Sequence, residues 1–295
     1  MSFLSTVGNR LGLLPLAAVL LTSLAGGAAQ AAQPEPWQMS FQEAATPTME
    51  LITSFHDFLF WVITIITLFV LVLMIMVAVK FNEKKNPTPS KTSHNTFLEV
   101  VWTAVPVLIL IVIAIPSFKL LYFADSNPET EMTLKITGHQ WYWSYEYPDH
   151  GNFGFDSYMV DEEDLEDGQP RLLTVDNRVV LPVNTKVKLL MTSDDVIHNW
   201  AMPAFGIKLD TVPGRINETW VEVTKEGTYY GQCSELCGVN HGFMPIQVEV
   251  VSKEAFVAWT EQAAEEFAKN KDFIPAEANA VLGDDAVDVA AKVAR

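Results

Sequence analysis

The alternation of apolar and polar positions divides this 295-residue chain into an apolar front and a polar back. A single positive charge, Arg10, precedes a short apolar run from Leu11 to Ala25, which ends at Gly26-Gly27 and is followed by the triplet Ala29-Gln30-Ala31. That order is the layout of a secretory signal peptide, so residues 1–31 are predicted to be removed by cleavage after Ala31, within a residue or two. From Phe58 to Val79 there are 22 residues without a charge. At 1.5 Å per residue they make a helix of roughly 33 Å, enough to cross a hydrocarbon core of about 30 Å. A second uncharged run covers Val100 to Phe118. Pro106 and Pro116 interrupt its backbone ladder, which a membrane helix packed on neighbours tolerates. The pattern predicts transmembrane helices over 58–79 and 100–122, a leading segment over 32–57 and a connecting loop over 80–99.

Beyond Tyr122 the texture changes to short runs of Val, Ile, Thr and aromatic residues, punctuated by Pro148-Asp149, Asp167-Gly168, Pro213-Gly214 and Glu226-Gly227. Predicted strands are Thr133–Thr137, Trp141–Tyr147, Arg171–Val175, Thr185–Thr192, Thr219–Thr224, Thr228–Gln232 and Ile246–Val251. Many short strands at this spacing predict an all-β Greek-key sandwich or barrel over 125–252. After Ser252 the period becomes helical, with Phe256, Trp259, Ala263 and Phe267 on one face of a terminal amphipathic helix. The tail from Ile274 to Arg295 has little to bury and is expected to be mobile, within a terminal region 253–295.

Charge fixes the topology. The connecting loop carries Lys80, Lys84, Lys85 and Lys91, whereas Ala32 to Asp57 holds no Lys or Arg. Positive-inside bias then places the loop in the cytoplasm, with both mature termini and the β domain outside, the periplasm of a bacterial inner membrane. Residues 1–124 hold 6 Lys+Arg and 6 Asp+Glu, and residues 125–295 hold 13 and 30, so the whole net charge of −17 lies in the outer part. Such acidity excludes a nucleic-acid binder, which needs a basic face. The 49% hydrophobic content excludes a disordered chain. Two cysteines are too few for a disulfide-stapled scaffold.

Both cysteines fall in one stretch, Gln232 to Met244, with the spacing C-x3-C-x3-H-x2-M over Cys233, Cys237, His241 and Met244. Two thiols, an imidazole and a thioether form a soft-donor set that favours copper, and a Met beside Cys and His marks cupredoxin-type electron-transfer sites. His198 lies 35 residues before Cys233, where a folded sheet can return it to the same loop. Three other chemistries compete. A disulfide is allowed in an oxidising compartment, although so small a loop constrains the unfolded chain little. A Cys2His2 set can hold structural zinc, which leaves Met244 without a purpose. A membrane-tethered copper delivery or assembly factor of thioredoxin type also uses C-x3-C with a distant His, but needs βαβ texture around the cysteines.

The loop CSELCGVNHGFM, together with His198, the stretch GHQWYWSYEYP from Gly138 to Pro148 and the two preceding spans, resembles subunit II of cytochrome c oxidase from about His56 to Val251. Nitrous oxide reductase shares such a loop but is soluble and carries a propeller domain; quinol oxidase second subunits lack the cysteines. The resemblance implies a cupredoxin-like barrel with a binuclear CuA centre of two copper ions. Cys233 and Cys237 would bridge the metals, His198 and His241 would each ligate one, and Met244 and the backbone carbonyl of Glu235 would complete the set. The Glu235 side chain resembles a ligand to magnesium at the contact with subunit I, a hard cation suited to carboxylate. Trp141 resembles the residue through which electrons enter from cytochrome c.

Glu99 corresponds to the mouth of a proton-uptake path into subunit I. In its own sequence, Thr96-Phe97-Leu98-Glu99 also reads as a capping box. Glu146, Asp149, Asp156, Asp176 and Asp195 match acidic docking positions for a cationic cytochrome c, steered by charge. The acidic run Asp161–Asp167 reads as a solvated loop. His56, His139 and His150 have packing or surface roles only. The expected activity is that of a proton-translocating oxidase subunit, partnered by subunits I and III, cytochrome c and membrane lipid. Haem would lie only in subunit I, where oxygen is reduced to water. This chain alone would transfer electrons and nothing more.

Overall fold

A computed structural model of the chain describes residues 32–267. The predicted signal peptide and the tail from Ile274 lie outside the described residues.

Two long helices come first. Helix α1 runs Pro47–Lys80 and helix α2 runs Thr96–Ala124. Thr46 caps α1, its hydroxyl accepting from the Met49 amide, and Pro47 occupies the first turn, where a missing N–H costs nothing. The helix therefore starts eleven residues before the charge-free run, because cap chemistry, not hydropathy, sets a helix start. Asn95 caps α2 by accepting from the Leu98 amide at 3.2 Å, so the expected capping box with Thr96 as cap is not formed. The Glu99 amide instead bonds the Asn95 carbonyl. Pro106 and Pro116 both lie inside α2. Met49 is the single buried residue of α1 and α2 has none, although both are apolar on every face. Helices of that kind need a solvent without hydrogen-bond demand.

Ten strands follow, in two five-stranded sheets. They are β1 (Met132–His139), β2 (Tyr142–Tyr147), β3 (Phe153–Ser157), β4 (Val179–Pro182), β5 (Lys186–Ser193), β6 (His198–Met202), β7 (Ile207–Thr211), β8 (Asn217–Glu222), β9 (Gly227–Cys233) and β10 (Pro245–Val251). One sheet has the order β3-β2-β1-β5-β8 and the other β4-β10-β9-β6-β7. Only β1–β5 and β4–β10 pair in parallel among these. Strict alternation along β1 and β5 puts Leu134, Ile136, Leu189 and Met191 inward. There they meet Trp143, Tyr145, Trp200, Met202, Ile246 and Val248 in one core.

Six of the seven predicted strands form. Arg171–Val175 does not: the Leu173 amide and the Thr174 hydroxyl both turn back to the Pro170 carbonyl, Leu172 is left-handed, and only Val175 bridges, to Met159. Four strands go unread in the sequence (β3, β4, β6 and β7) because they are only four or five residues long and carry Gly, Asp, Asn or Pro. The terminal helix α3, Lys253–Phe267, seats Phe256 and Ala263 in the core and places Trp259 on Tyr147 and Phe153.

One glycine lets the second sheet close. A Cβ on Gly231 would lie 2.1 Å from the Ala201 carbonyl oxygen and 2.5 Å from the Met202 sulfur. Gly231→Ala is therefore expected to lower unfolding free energy by about 3 kcal/mol, the upper end of overpacking costs, measured by denaturant unfolding monitored by tryptophan fluorescence.

Candidate metal centre

The second sheet delivers the soft donors to one point. Strand β6 begins at His198, and its antiparallel neighbour β9 ends at Cys233, with Trp200 opposite Cys233 in register. The chain then makes an eleven-residue excursion, Ser234 to Met244, before β10 begins at Pro245 opposite Gln232. Backbone bonds close its neck, Cys233 donating to the Met244 carbonyl and Ser234 to the Asn199 carbonyl. Inside the excursion, Phe243 donates to Asn240 and His241 to Gly238. Gly238 has φ +123, which L side chains rarely adopt.

The donor atoms converge. The two sulfurs are 3.8 Å apart; Cys233 Sγ lies 3.9 Å from His198 Nδ1 and 3.4 Å from the Glu235 carbonyl. Cys237 Sγ lies 3.6 Å from His241 Nδ1 and 3.5 Å from Met244 Sδ. Ligands bound at about 2.0–2.3 Å around a tetrahedral first-row ion are about 3.3–3.8 Å apart. The spacing fits metal ligation, and two sulfurs with two imidazoles and a thioether fit copper better than a hard cation.

The tautomer of His198 is set from behind. Its Nε2 lies 2.8 Å from Asp195 Oδ1, so Nε2 carries a proton and Nδ1 is the nitrogen turned to the sulfurs. Asp195 is itself held by the Val196 and Gln140 amides. Burial favours its neutral form, but these bonds and His198 keep its pKa below the ordinary value. Trp143 packs edge-on to His198, with centroids 5.9 Å apart, and donates to the Met244 carbonyl.

The thiols differ. Burial raises the Cys233 thiol, but the hydrogen bond with His198 and those of the Asn199 and Glu235 backbone more than offset it, bringing its pKa to about 7. Burial and the charge on Cys233 push Cys237 up to about 12. His198 is drawn down by burial and up by Cys233 and Asp195, ending above its ordinary value. The thiolate is therefore favoured at Cys233 over Cys237, and metal ligation requires both sulfurs to give up their protons.

The profile described as "Cytochrome C oxidase subunit II, transmembrane domain" matches residues 34–120, and that described as "Cytochrome C oxidase subunit II, periplasmic domain" matches residues 132–251. The chain belongs to the cytochrome c oxidase subunit II family. The "Probable cytochrome c oxidase subunit 2" of Rickettsia bellii is 55% identical over 229 residues, 78% of this chain and 85% of that one. Cytochrome c oxidase subunit 2 of Phytophthora megasperma is 52% identical over 231 residues, 76% of this chain and 86% of that one. The crystal structure of the periplasmic domain of subunit II of cytochrome oxidase of Bradyrhizobium japonicum is 54% identical, covering 48% of this chain and 98% of that one, with a TM-score of 0.45.

As a member of the cytochrome c oxidase subunit II family, the chain is a membrane protein with a copper-binding, cupredoxin-like domain and is one subunit of an oxidoreductase complex. The remaining sequence-predicted residues scatter. Trp141, half-buried, donates to the Cys237 carbonyl at 3.3 Å, beside the Gln140 amide group at 2.7 Å. Glu235 is exposed, and Glu99 stands in the first turn of α2. Asp156 accepts from Ser144, and Asp176 accepts from the Tyr158 amide, on the flank next to the His139-Tyr142-Tyr158 stack. Glu146 and Asp149 lie towards the other ends of β1 and β2. Glu146 is buried, 3.8 Å from Lys135, and Asp149 accepts from the Thr133 amide.

Sequence reading places Asp195 at the docking face and leaves Gln140 and Gly138 without a role. The structure shows Asp195 bonded to the His198 ring, Gln140 pinning the loop, and Gly138 so close to His198 that a Cβ would fall 2.8 Å from its ring. The spacing D-x2-H in Asp195 and His198 is the one available signal. Asp195→Asn, which keeps the shape and removes the charge, is expected to weaken copper binding by about 10- to 100-fold with the fold retained, read by competition with a chelator and by circular dichroism.

Proposed function

We propose that this chain takes electrons singly from a cytochrome c at a binuclear copper centre and passes them to the haem of subunit I, where oxygen is reduced to water with proton translocation. The observation that carries the reading is the convergence of both sulfurs, two imidazole nitrogens, a thioether and one carbonyl within a half-buried loop whose backbone is tied on both sides. Copper, when bound, supplies the redox couple. The protein supplies a frame that keeps the ligands in nearly one arrangement for both oxidation states, which lowers the reorganisation opposing transfer.

Other residues take supporting roles in this reading. Trp141 links outer surface and ligand loop through the Cys237 carbonyl, as an entry point requires. Asp156, Asp176 and Asp195 form an acidic border for a cationic donor on the same flank; Glu146 and Asp149 would act on it only at longer range. Leu236, Val239 and Phe243 are exposed on the ligand loop, an apolar surface suited to burial against a partner subunit. There the Glu235 carboxylate is available to a magnesium ion. Glu99, at the loop end of α2, would stand at the proton-uptake mouth. The orientation that fits is cytoplasmic lysines and a periplasmic barrel. Copper delivery is not favoured, since family membership already supplies a resident use for the metal.

In the assembled oxidase, Cys237→Ser is expected to abolish oxygen uptake driven by cytochrome c and to reduce bound copper at this site from two ions. Trp141→Ala should keep both coppers and their spectrum yet slow reduction by cytochrome c by about 10- to 100-fold. Undiminished uptake in the serine variant would end the proposal. Wild-type reduction should also slow as ionic strength rises, measured by stopped flow.

A further inference from the structure

The segment before the first membrane helix is stitched into the barrel. The Ala45 amide donates to the Ala204 carbonyl at 2.9 Å, and the Ala45 carbonyl accepts from the Thr224 amide and hydroxyl. Thr46 does two things with one hydroxyl: it accepts from the Met49 amide, capping α1, and donates to the Phe205 carbonyl at 2.8 Å. Ala45 and Thr46 are each 1% exposed, so these bonds are shielded from competing water. One turn further on, α1 rests against Gly206. A Cβ there would lie 2.8 Å from the Ile52 side chain and 3.2 Å from the Met49 backbone.

The acceptors of this clasp, Ala204 and Phe205, lie in the short 3-10 turn Pro203–Phe205 that follows β6, whose first residue is His198. His198 to Met202 spans about 13 Å of extended chain at ~3.3 Å per residue. The strand lies between β9 and β7 with Trp200 and Met202 fully buried, so it has little freedom to flex. The strand thus has His198 at its start, and the turn that seats a membrane helix follows its other end.

We infer that Thr46 is a positioning residue: by capping α1 and gripping the turn that follows β6 together, it fixes the metal centre relative to the membrane and sets the rate of electron exit to subunit I. The inference rests on the function proposed above. In the step concerned, one electron leaves the copper pair, oxidising it by one equivalent, and reduces the haem iron by one, with no bond made or broken. Misplacement of about 1 Å at a distance from the chemistry is enough to slow a positioned reaction by up to about 100-fold.

The test uses the whole oxidase complex carrying Thr46→Val, Thr46→Ser or Gly206→Ala. Thr46→Val keeps the shape and loses the hydroxyl. It is expected to retain two coppers and an unchanged copper spectrum, to exchange the amides of residues 45–50 faster in hydrogen–deuterium exchange, and to transfer electrons from copper to haem about tenfold slower after flash reduction. Thr46→Ser should restore both exchange protection and rate. Gly206→Ala, which pushes on α1 from the barrel side, should reproduce the slowed transfer and serves if Thr46→Val does not assemble. Loss of protection with an unchanged transfer rate would overturn the inference, as would an altered copper spectrum, which would place the effect on the centre itself. Absence of copper-to-haem transfer in the wild-type complex would instead sink the parent proposal.

Discussion

Two sulfur atoms held 3.8 Å apart inside a protein cannot both be anionic unless positive charge lies with them. That constraint organises the metal centre. Together with burial, which raises both thiols, and the His198 and backbone bonds that favour the thiolate at Cys233, it leaves one thiol at a pKa of about 7 and the other pushed up to about 12, and it makes a bound cation the natural completion of the site. With a metal bound, the imidazoles would contribute neutral nitrogen donors, His198 keeping its Nε2 proton in the bond with Asp195. A thioether and a carbonyl add weak ligands without adding to the repulsion. The donor set therefore balances charge against softness, and copper satisfies both.

Keeping that arrangement requires a frame that resists collapse around the sulfurs. Antiparallel pairing supplies it. Because β6 and β9 run in opposite directions, the start of one lies beside the end of the other, and residues 35 apart in sequence become neighbours. The β1–β2 hairpin end covers the loop from the other sheet: Gln140 and Trp141 hold the Cys237 carbonyl, and Trp143 holds that of Met244. Gly138 and Gly238 sit where a single methyl group would press on the elements packed against them, and Gly231 where it would part β9 from β6. The aromatic content of the Gly138–Pro148 stretch thus serves two ends, filling the core and pinning the ligand loop.

Much of this was legible in the sequence, and what was not has a physical reason. The C-x3-C-x3-H-x2-M spacing is local, so it is readable without a fold. His198 was found through chemistry, although the strand it opens was not, because His-Asn-Trp-Ala-Met lacks the β-branched residues and alternation that mark strands. Arg171–Val175 shows the opposite failure: Leu, Thr and Val read as a strand, but Pro170 offers its carbonyl to the residues that follow and turns the chain. Asp195 was visible as an acid near a His, yet only the fold shows that its carboxylate meets the His198 ring. The start of α1 was hidden for a related reason. Charge-free runs report where hydrocarbon ends, not where hydrogen bonding begins.

That last difference matters to how the two halves of the chain are joined. At 34 residues α1 is about 51 Å long, well beyond a hydrocarbon core of about 30 Å. The excess turns carry Glu50 and Asp57 and lie outside the charge-free run. A part with 30 acidic residues cannot enter hydrocarbon, and two bare helices of apolar surface cannot leave it. The extension reconciles them, rising clear of the membrane to end on the barrel at Thr46 and Gly206, while α2 meets the barrel where Phe123 packs edge-on to Trp220 at 5.7 Å. Two attachments restrain a rotation of the barrel about the membrane helices that one would leave free.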